Sequence, residues 1–201
     1  MANDAGIRYG AFPIYANDAP PKVLYFRANT AQAIFRGQFV AINNSGQVAV
    51  IAPGDNVASC GIAWEFLDPS QAGLPSGMTT LSVAANLPAS TDAVVGVTYD
   101  PMQLYVMEEI TGGTALTAIS LGQVVNWTYT AATGNTTTGY ANTVIQNSSV
   151  SSGTGPLLQL MNVYNIINQD GTVNAPGASC KWVVRIANHQ FNGTKLSVPQ
   201  G

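Results

Sequence analysis

Apolar side chains that recur at every second position limit most strongly what this chain can fold into. In residues 180–188, Lys181 and Arg185 fall between regularly spaced apolar side chains, and residues 123–130 show the same period of two. Because successive side chains of a β-strand point to opposite faces, each segment predicts a strand with one buried face. The predicted buried faces are Cys180, Trp182, Val184 and Ile186 in one strand and Val125, Trp127 and Tyr129 in the other.

Turn-forming residues divide the rest of the chain into short segments of the same kind. Asn43 to Gly46 lies between residues 38–42 and 47–51 and predicts a hairpin. Asp100 to Met102, between residues 92–99 and 103–110, predicts a second hairpin. Further candidate strands are residues 58–65, 79–83, 142–146 and 157–167. The last of these also fits a helical period, so its assignment stays open.

One short helical turn is predicted between Thr114, as its N-cap, and Gly122, as its stop. With this exception the signals are those of strands and turns. The chain of 201 residues is long enough for one ordinary domain. We therefore predict a mainly β fold, a β-barrel or β-sandwich, with an extended N-terminal arm and at most one short helix.

Residues 1–22 are the predicted arm, because they carry more apolar surface than a free tail and end in a Pro-Pro break. The arm would lie extended on a neighbouring subunit. The alternative, which the sequence leaves open, is a first strand packed on its own domain. Residues 23–201 are then a single β-rich domain, with polar loops at 131–139 and 148–155.

Charge is scarce, at 8% of residues with a net charge of −3, and the seven basic residues are scattered. This pattern offers no electrostatic footprint for nucleic acid. No segment approaches the ~18 apolar residues of a membrane helix. Asp4 and Arg8 stand where a signal peptide has its apolar run, so we expect no export by that route. Cys60 and Cys180 are predicted to be buried free thiols.

The residues that catalysis requires are few. His189 is the single histidine and is expected to be structural, since nothing marks a serine nucleophile to accompany it. Glu108 and Glu109 would point to opposite faces of a strand and are expected to be edge or surface charges. No spacing typical of metal ligands or of a phosphate-binding loop occurs. We expect neither an enzyme nor a protein with a metal or cofactor.

A low-charge, β-rich chain without such a site is typical of a structural subunit, because interfaces are depleted in charge and enriched in aromatic residues. Short motifs then follow one another between about residues 25 and 190. They are Arg36-Gly37-Gln38-Phe39-Val40, Gly46-Gln47-Val48-Ala49-Val50, Cys60-Gly61-Ile62-Ala63, Tyr99-Asp100-Pro101, Leu104-Tyr105-Val106-Met107-Glu108, Leu121-Gly122-Gln123 and Val183-Val184-Arg185-Ile186-Ala187-Asn188-His189-Gln190. In this order they resemble the capsid decoration, or cement, proteins of tailed bacteriophages.

This resemblance implies a domain that binds the outer surface of the virion capsid at symmetry-related junctions, often as a trimer, after assembly in the host cytoplasm. Its partners would be the major capsid protein and copies of itself, with no nucleic acid and no membrane. Its function would be to cement neighbouring capsomers and stabilise the expanded head. The predicted capsid or neighbour contacts are Ile7, Arg8, Tyr9, Phe12 and Tyr15.

The alternative function is a carbohydrate- or receptor-binding module of a phage tail or adhesin, which needs exposed aromatic side chains beside polar ones. Trp127 and Trp182 lie on predicted apolar strand faces and are expected to be core residues. Trp64, close to Glu65 and Asp68, is the remaining candidate.

Overall fold

A computed structural model describes residues 10–14, 20–29, 31–67, 86–90, 93–150 and 158–192. Its regular structure is thirteen strands and one 3-10 turn, so the predicted mainly β class is confirmed. The strands are β1 (Phe12–Ile14), β2 (Val23–Arg27), β3 (Ile34–Phe35), β4 (Phe39–Ile42), β5 (Val48–Val50), β6 (Gly61–Leu67), β7 (Asn86–Leu87), β8 (Val94–Thr98), β9 (Leu104–Glu108), β10 (Val124–Gly134), β11 (Ala141–Val150), β12 (Leu158–Val163) and β13 (Lys181–Ile186).

Two antiparallel sheets and one short strand pair organise these strands. The larger sheet has the order β1-β9-β13-β12-β10-β11, the second sheet has the order β2-β8-β6-β4-β5, and β3 pairs with β7. The larger sheet curls into a half-barrel. Strand β11, at the far end of this sheet, returns towards the end of β9. There Glu109 forms a parallel bridge with Ile145, and the Ile110 N–H donates to the Ile145 carbonyl at 2.9 Å. The sheet thus has a seam beside Glu109.

The main core lies between the two large sheets. Phe39 and Ile62 from the second sheet meet Trp182, Trp127 and Tyr105 from the larger one, and all five are buried. A second core covers the opposite face of the second sheet, where its buried members include Val40, Val95, Val97, Ile34 and Leu87. The central strands β8, β6 and β4 of the second sheet are therefore largely buried on both faces, which explains why they are almost continuously apolar.

Several predictions of local structure are confirmed. The predicted inward faces of β10 and β13 lie in the main core, with Tyr129 packed at its margin. β4 and β5 form the first predicted hairpin, in which the Asn43 Oδ1 accepts from the Ser45 and Gln47 N–H groups at 3.0 Å each. Residues 158–163 are strand β12, which settles the open assignment in favour of a strand. Residues 79–83 lie outside the described ranges.

The second predicted hairpin is wrong. The turn itself forms, because the Gln103 N–H donates to the Asp100 carbonyl at 2.9 Å. However, β8 pairs with β2 and β6, whereas β9 pairs with β1 and β13 in the other sheet. A turn sets the direction of the chain and leaves the strand partners open. Here Tyr105 donates its hydroxyl to the Thr98 carbonyl at 3.1 Å and so links the two sheets across the main core.

The predicted helical turn is shorter than expected and begins later. It covers Ala118–Ser120, with Thr117 as its N-cap. Upstream of it, the Leu116 N–H donates to the Glu109 Oε1 at 2.8 Å, and the Leu116 side chain is buried in the main core. This tertiary contact draws Leu116 into the core and delays the helical turn.

Strand β10 extends to Gly134, so residues 131–134 of the predicted polar loop continue a strand. Residues 135–139 form the turn to β11, in which the Asn135 Oδ1 accepts from the Thr137 N–H at 2.8 Å. At its end strand β10 packs directly on the Phe35 ring, because a Cβ at Gly134 would lie only 2.2 Å from that ring. The side chain of a distant strand therefore holds this hairpin in place.

The prediction that Glu108 and Glu109 are surface charges is wrong, because both are buried. Glu109 is fully buried at the seam of the half-barrel. Its Oε1 accepts from the Leu116 N–H at 2.8 Å and from the Asn147 Nδ2 at 3.1 Å, and its Oε2 accepts from the Trp182 Nε1 at 2.9 Å. A buried polar group is tolerated when hydrogen bonds satisfy it, and these donors come from three separate segments.

Replacing Glu109 with glutamine should destabilise the fold, because an amide nitrogen would then face an N–H donor in place of one carboxylate oxygen. We expect Glu109→Gln to lower the free energy of unfolding by about 2 to 3 kcal/mol, measured by urea denaturation. Glu65→Gln is the matched control, expected to change it by less than about 0.5 kcal/mol because Glu65 is only half-buried and an amide oxygen can still accept from the Tyr25 hydroxyl. Equal effects of the two variants would contradict the role assigned to Glu109.

Gly61 at the start of β6 should tolerate no side chain. Its φ is +142°, and a Cβ there would lie 2.0 Å from the Thr98 carbonyl oxygen. We expect Gly61→Ala to lower the free energy of unfolding by about 3 kcal/mol or more. Gly46 also has a positive φ, +72°, but nothing lies within 4 Å of its Cβ position. Gly46→Ala should cost only about 1 kcal/mol, and a similar loss in both variants would show that backbone strain alone is responsible.

Candidate interaction surface

The described part of the predicted arm is a strand of its own domain. Phe12 pairs with Val106 and Ile14 with Leu104, so that β1 extends the larger sheet beyond β9. For residues 12–14 the structure therefore has the intramolecular alternative that the sequence left open. Of the predicted contact residues only Phe12 is described, and Ile7, Arg8, Tyr9 and Tyr15 lie outside the described ranges.

Hydrogen bonds at both ends hold β1 in place. The Ala11 N–H donates to the Gly37 carbonyl at 3.1 Å, and the Gln103 Nε2 donates to the Ile14 carbonyl at 2.5 Å. Gly10 adopts a φ of +65°, and a Cβ there would lie 2.8 Å from the Gly37 oxygen. Residues 10–14 thus enter the domain along one fixed path.

Partly exposed aromatic side chains lie where β1 approaches the second sheet. The ring of Phe12 is 39% exposed and packs edge-on against Trp64 at a centroid distance of 5.1 Å. Tyr25 on β2 is 38% exposed, and its hydroxyl donates to the Glu65 Oε2 at 2.6 Å. We call Phe12, Tyr25, Trp64 and Glu65 the aromatic edge.

A bulge and a glycine shape the aromatic edge. In the pairing of β6 with β8, Ala63 lies opposite Val97 and Glu65 opposite Gly96, so Trp64 is the extra residue of a bulge. A Cβ at Gly96 would lie 3.0 Å from both the Tyr25 ring and the Glu65 Cβ. Because Gly96 has no side chain, Tyr25 can reach across β8 to Glu65.

The chemistry of the aromatic edge is that of a contact surface with one acceptor. Burial, together with the hydrogen bond and the charge of Glu65, raises the pKa of Tyr25 to about 12. The phenol therefore remains a neutral hydrogen-bond donor to Glu65 over the physiological range. Flat rings beside one carboxylate suit contact with a protein surface and also with a sugar.

The other tryptophans are core residues, as predicted. Trp127 and Trp182 are buried between the sheets, so Trp64 is the one that can contact a partner. Asp68, which the sequence placed near it, lies outside the described ranges.

The predicted thiols and the predicted structural histidine are also buried. Cys60 and Cys180 are free and lie in the two different cores, which confirms that they do not form a disulfide with one another. Burial raises the pKa of both thiols to about 12, which leaves almost no thiolate near neutral pH. His189 is buried just after β13, where its Nδ1 accepts the Phe191 N–H at 3.1 Å.

Among the described residues, no group of three or more His, Cys, Asp or Glu side chains is arranged to hold a metal ion. No helix in the same part of the chain is long and apolar enough to cross a membrane. A shallow, largely apolar groove of about 240 Å³ lies along the β4–β5 hairpin, between Ala41, Val50 and Val57.

Sequence reasoning did not single out Tyr25, which the structure places in the aromatic edge. The period-two pattern assigns Tyr25 to a strand face, but it does not show which β-strand lies beside β2. The bulge at Trp64 was equally hidden, since an extra residue in a strand has no signature of its own in an apolar segment.

Comparison with known proteins found no matching family model, no matching curated protein and no matching solved structure.

Proposed function

We propose that this protein is a structural component of a bacteriophage virion. In this proposal it binds the outer surface of the capsid and cements neighbouring capsomers, which stabilises the expanded head. Its partners are the major capsid protein and other copies of itself. The observation that carries the proposal is the aromatic edge, which presents Phe12, Tyr25 and Trp64 at the margin of both sheets.

Aromatic side chains such as those of the aromatic edge are common at protein interfaces. Tyr, Trp and Phe are enriched at interface centres, while Lys and Glu are depleted there. Charged residues make up only 8% of this chain, so a partner can cover much of its surface without desolvating many charges. Both properties support a role in contact with other proteins.

The strands beside the aromatic edge can also contribute backbone contacts. In the strand order of the described residues, β1 lies at one end of the larger sheet and β2 at one end of the second sheet. An outer strand of a sheet can accept a further strand from a partner chain, which adds main-chain hydrogen bonds to side-chain packing. The aromatic edge therefore lies between two strands suited to such an addition.

In this proposal the second contact is made by residues 1–9, the part of the predicted arm that precedes β1. Nine residues precede Gly10, and a fully extended segment of this length spans about 30 Å, enough to reach a neighbouring subunit. Ile7, Arg8 and Tyr9 are the proposed anchors on that neighbour. The aromatic edge and the arm belong to one chain, so binding of either one raises the effective concentration of the other at its own site.

The arm truncation that tests this proposal removes residues 1–9 and retains β1, since Phe12–Ile14 belong to the larger sheet. Binding is measured by co-sedimentation with empty, expanded phage heads, as copies bound per major capsid subunit. The full chain should saturate at a fixed stoichiometry. The truncated chain should keep its melting temperature and bind at least about tenfold more weakly.

Substitutions at the aromatic edge are the second set of variants in the same experiment. Phe12→Ser and Tyr25→Ser together should weaken binding about tenfold or more. Ile119→Ser is the matched control, because Ile119 is 86% exposed in the 3-10 turn before β10 and is not part of the aromatic edge. This variant should leave binding unchanged. If the full chain shows no saturable binding, the cement function is wrong. Equal weakening by all variants would remove the aromatic edge from the proposal.

A carbohydrate- or receptor-binding module is the second candidate, and the specific observation in its favour is a partly exposed Trp64 beside the carboxylate of Glu65. Sugars stack on tryptophan rings and donate hydroxyls to carboxylates. Saturable quenching of the tryptophan fluorescence by a glycan would favour this function over the first if Trp64→Leu abolishes the quenching and the full chain does not bind to heads.

A further inference from the structure

Residues 188–192, which follow β13, form a link between the two large sheets that we call the C-terminal strap. The Ser59 N–H donates to the Asn188 carbonyl at 3.1 Å, and the Gln190 N–H donates to the Ser59 carbonyl at 2.7 Å. The strap thus runs parallel to the chain at Ser59, just before β6. It connects the last strand of the larger sheet to the second sheet.

A side-chain amide fastens the strap to β4. The Gln190 Oε1 accepts from the Ile42 N–H at 3.0 Å, and the Gln190 Nε2 donates to the Ile42 carbonyl at 3.2 Å. One side chain therefore satisfies both backbone groups of Ile42, as a neighbouring strand would. The strap holds the end of β4 through this pair.

His189 is at the centre of the strap and is only 4% exposed. Its Nδ1 accepts the Phe191 N–H at 3.1 Å, so the neutral ring carries its proton on Nε2. Within the described residues the Nε2 has no hydrogen-bond partner. A second proton must bind at Nδ1, where it would remove the acceptor of Phe191 and place a cation in a buried site.

The titratable groups around His189 offer one compensating charge. Asp100 lies in the β8–β9 turn and favours the protonated ring electrostatically, but its carboxylate is already paired with the Lys22 Nζ at 3.2 Å. Tyr99 packs on Phe191 at a centroid distance of 6.2 Å. Burial raises the pKa values of the Cys60 thiol and the Tyr105 phenol, which are neutral in acid. Burial lowers the pKa of His189 to about 4, against the opposing effect of Asp100.

We propose that protonation of His189 releases the C-terminal strap from β4 and Ser59, which makes the strap an acid-sensitive latch between the two sheets. The direction follows from the two protonation equilibria. Well above pH 6.5 the ring is neutral in both the closed and the released strap, so protonation does not affect the equilibrium between them. As the pH falls from 6.5 to 4, the released ring gains a proton before the closed one does, so the released state becomes more populated.

The size of the effect follows from the same equilibria. With a pKa of about 4 in the closed strap and about 6.5 in the released one, the equilibrium constant for release rises about 20-fold between pH 7 and pH 5. The remainder of the fold should stay intact over this range. The proposal is independent of the capsid function, because it concerns the domain alone.

Two measurements on the full chain test the latch. Amide hydrogen exchange, corrected for the intrinsic effect of pH, should show about 20-fold faster exchange in residues 188–192 at pH 5 than at pH 7, with residues 181–186 unchanged. Labelling with 2,2′-dipyridyl disulfide, which reacts with thiols in acid, should accelerate at Cys60 beside Ser59. Cys180 lies in the other core and is the internal control.

A variant and a direct titration test whether protonation of His189 causes the release of the strap. His189→Gln cannot take up the proton and should abolish the pH dependence of exchange in the strap. Because His189 is the single histidine, its ring protons report its pKa in the unaltered chain by NMR, whether or not the variant folds. A pKa between about 4 and 5 with a strap that loosens in acid supports the latch. An ordinary pKa near 6.5, an unchanged strap at pH 5, or simultaneous loosening of residues 181–186 would overturn it.

Discussion

The rest of the larger sheet depends on the hydrogen bonds accepted by the fully buried carboxylate of Glu109. It lies where the sheet curls back on itself, and its donors come from Leu116, Asn147 and Trp182. One side chain thus joins the loop after β9, strand β11 and the core face of β13. Burying a charge is tolerable only where hydrogen bonds replace water, so the position of Glu109 requires all three segments to be in place.

Elsewhere in the molecule, side-chain amides have the structural role that charged residues have in many proteins. Asn174 donates to the Tyr164 and Lys181 carbonyls, both at 2.8 Å, and accepts the Lys181 N–H at 3.0 Å. Gln38 accepts the Phe35 N–H at 2.7 Å. Neutral amides provide a donor and an acceptor at little desolvation cost compared with an ion pair. A chain with 8% charged residues can therefore still satisfy its irregular backbone segments.

The three tryptophans divide between the interior and the candidate contact surface. Trp127 and Trp182 pack between the sheets, whereas Trp64 is turned to the margin by a bulge, where it meets Phe12 and stands beside the Tyr25–Glu65 pair. Sequence reasoning singled out Phe12 and Trp64 separately, one as part of an arm and the other as an exposed ring. Their contact depends on the packing of β1 over β6, two strands of different sheets, and no local pattern contains that information.

The sequence by itself determined the mainly β class, the inward faces of β10 and β13, the first hairpin and the burial of both cysteines. Each of these follows from alternation, turn residues or composition, which act over a few neighbouring residues. Only the tertiary structure decided which strands pair across the turn at Asp100, where the helical turn begins, and that Glu109 is buried. These features depend on contacts between residues far apart in the chain, and a period of two is compatible with several sets of strand partners. Local sequence thus specified the strands, and packing between the sheets selected their partners.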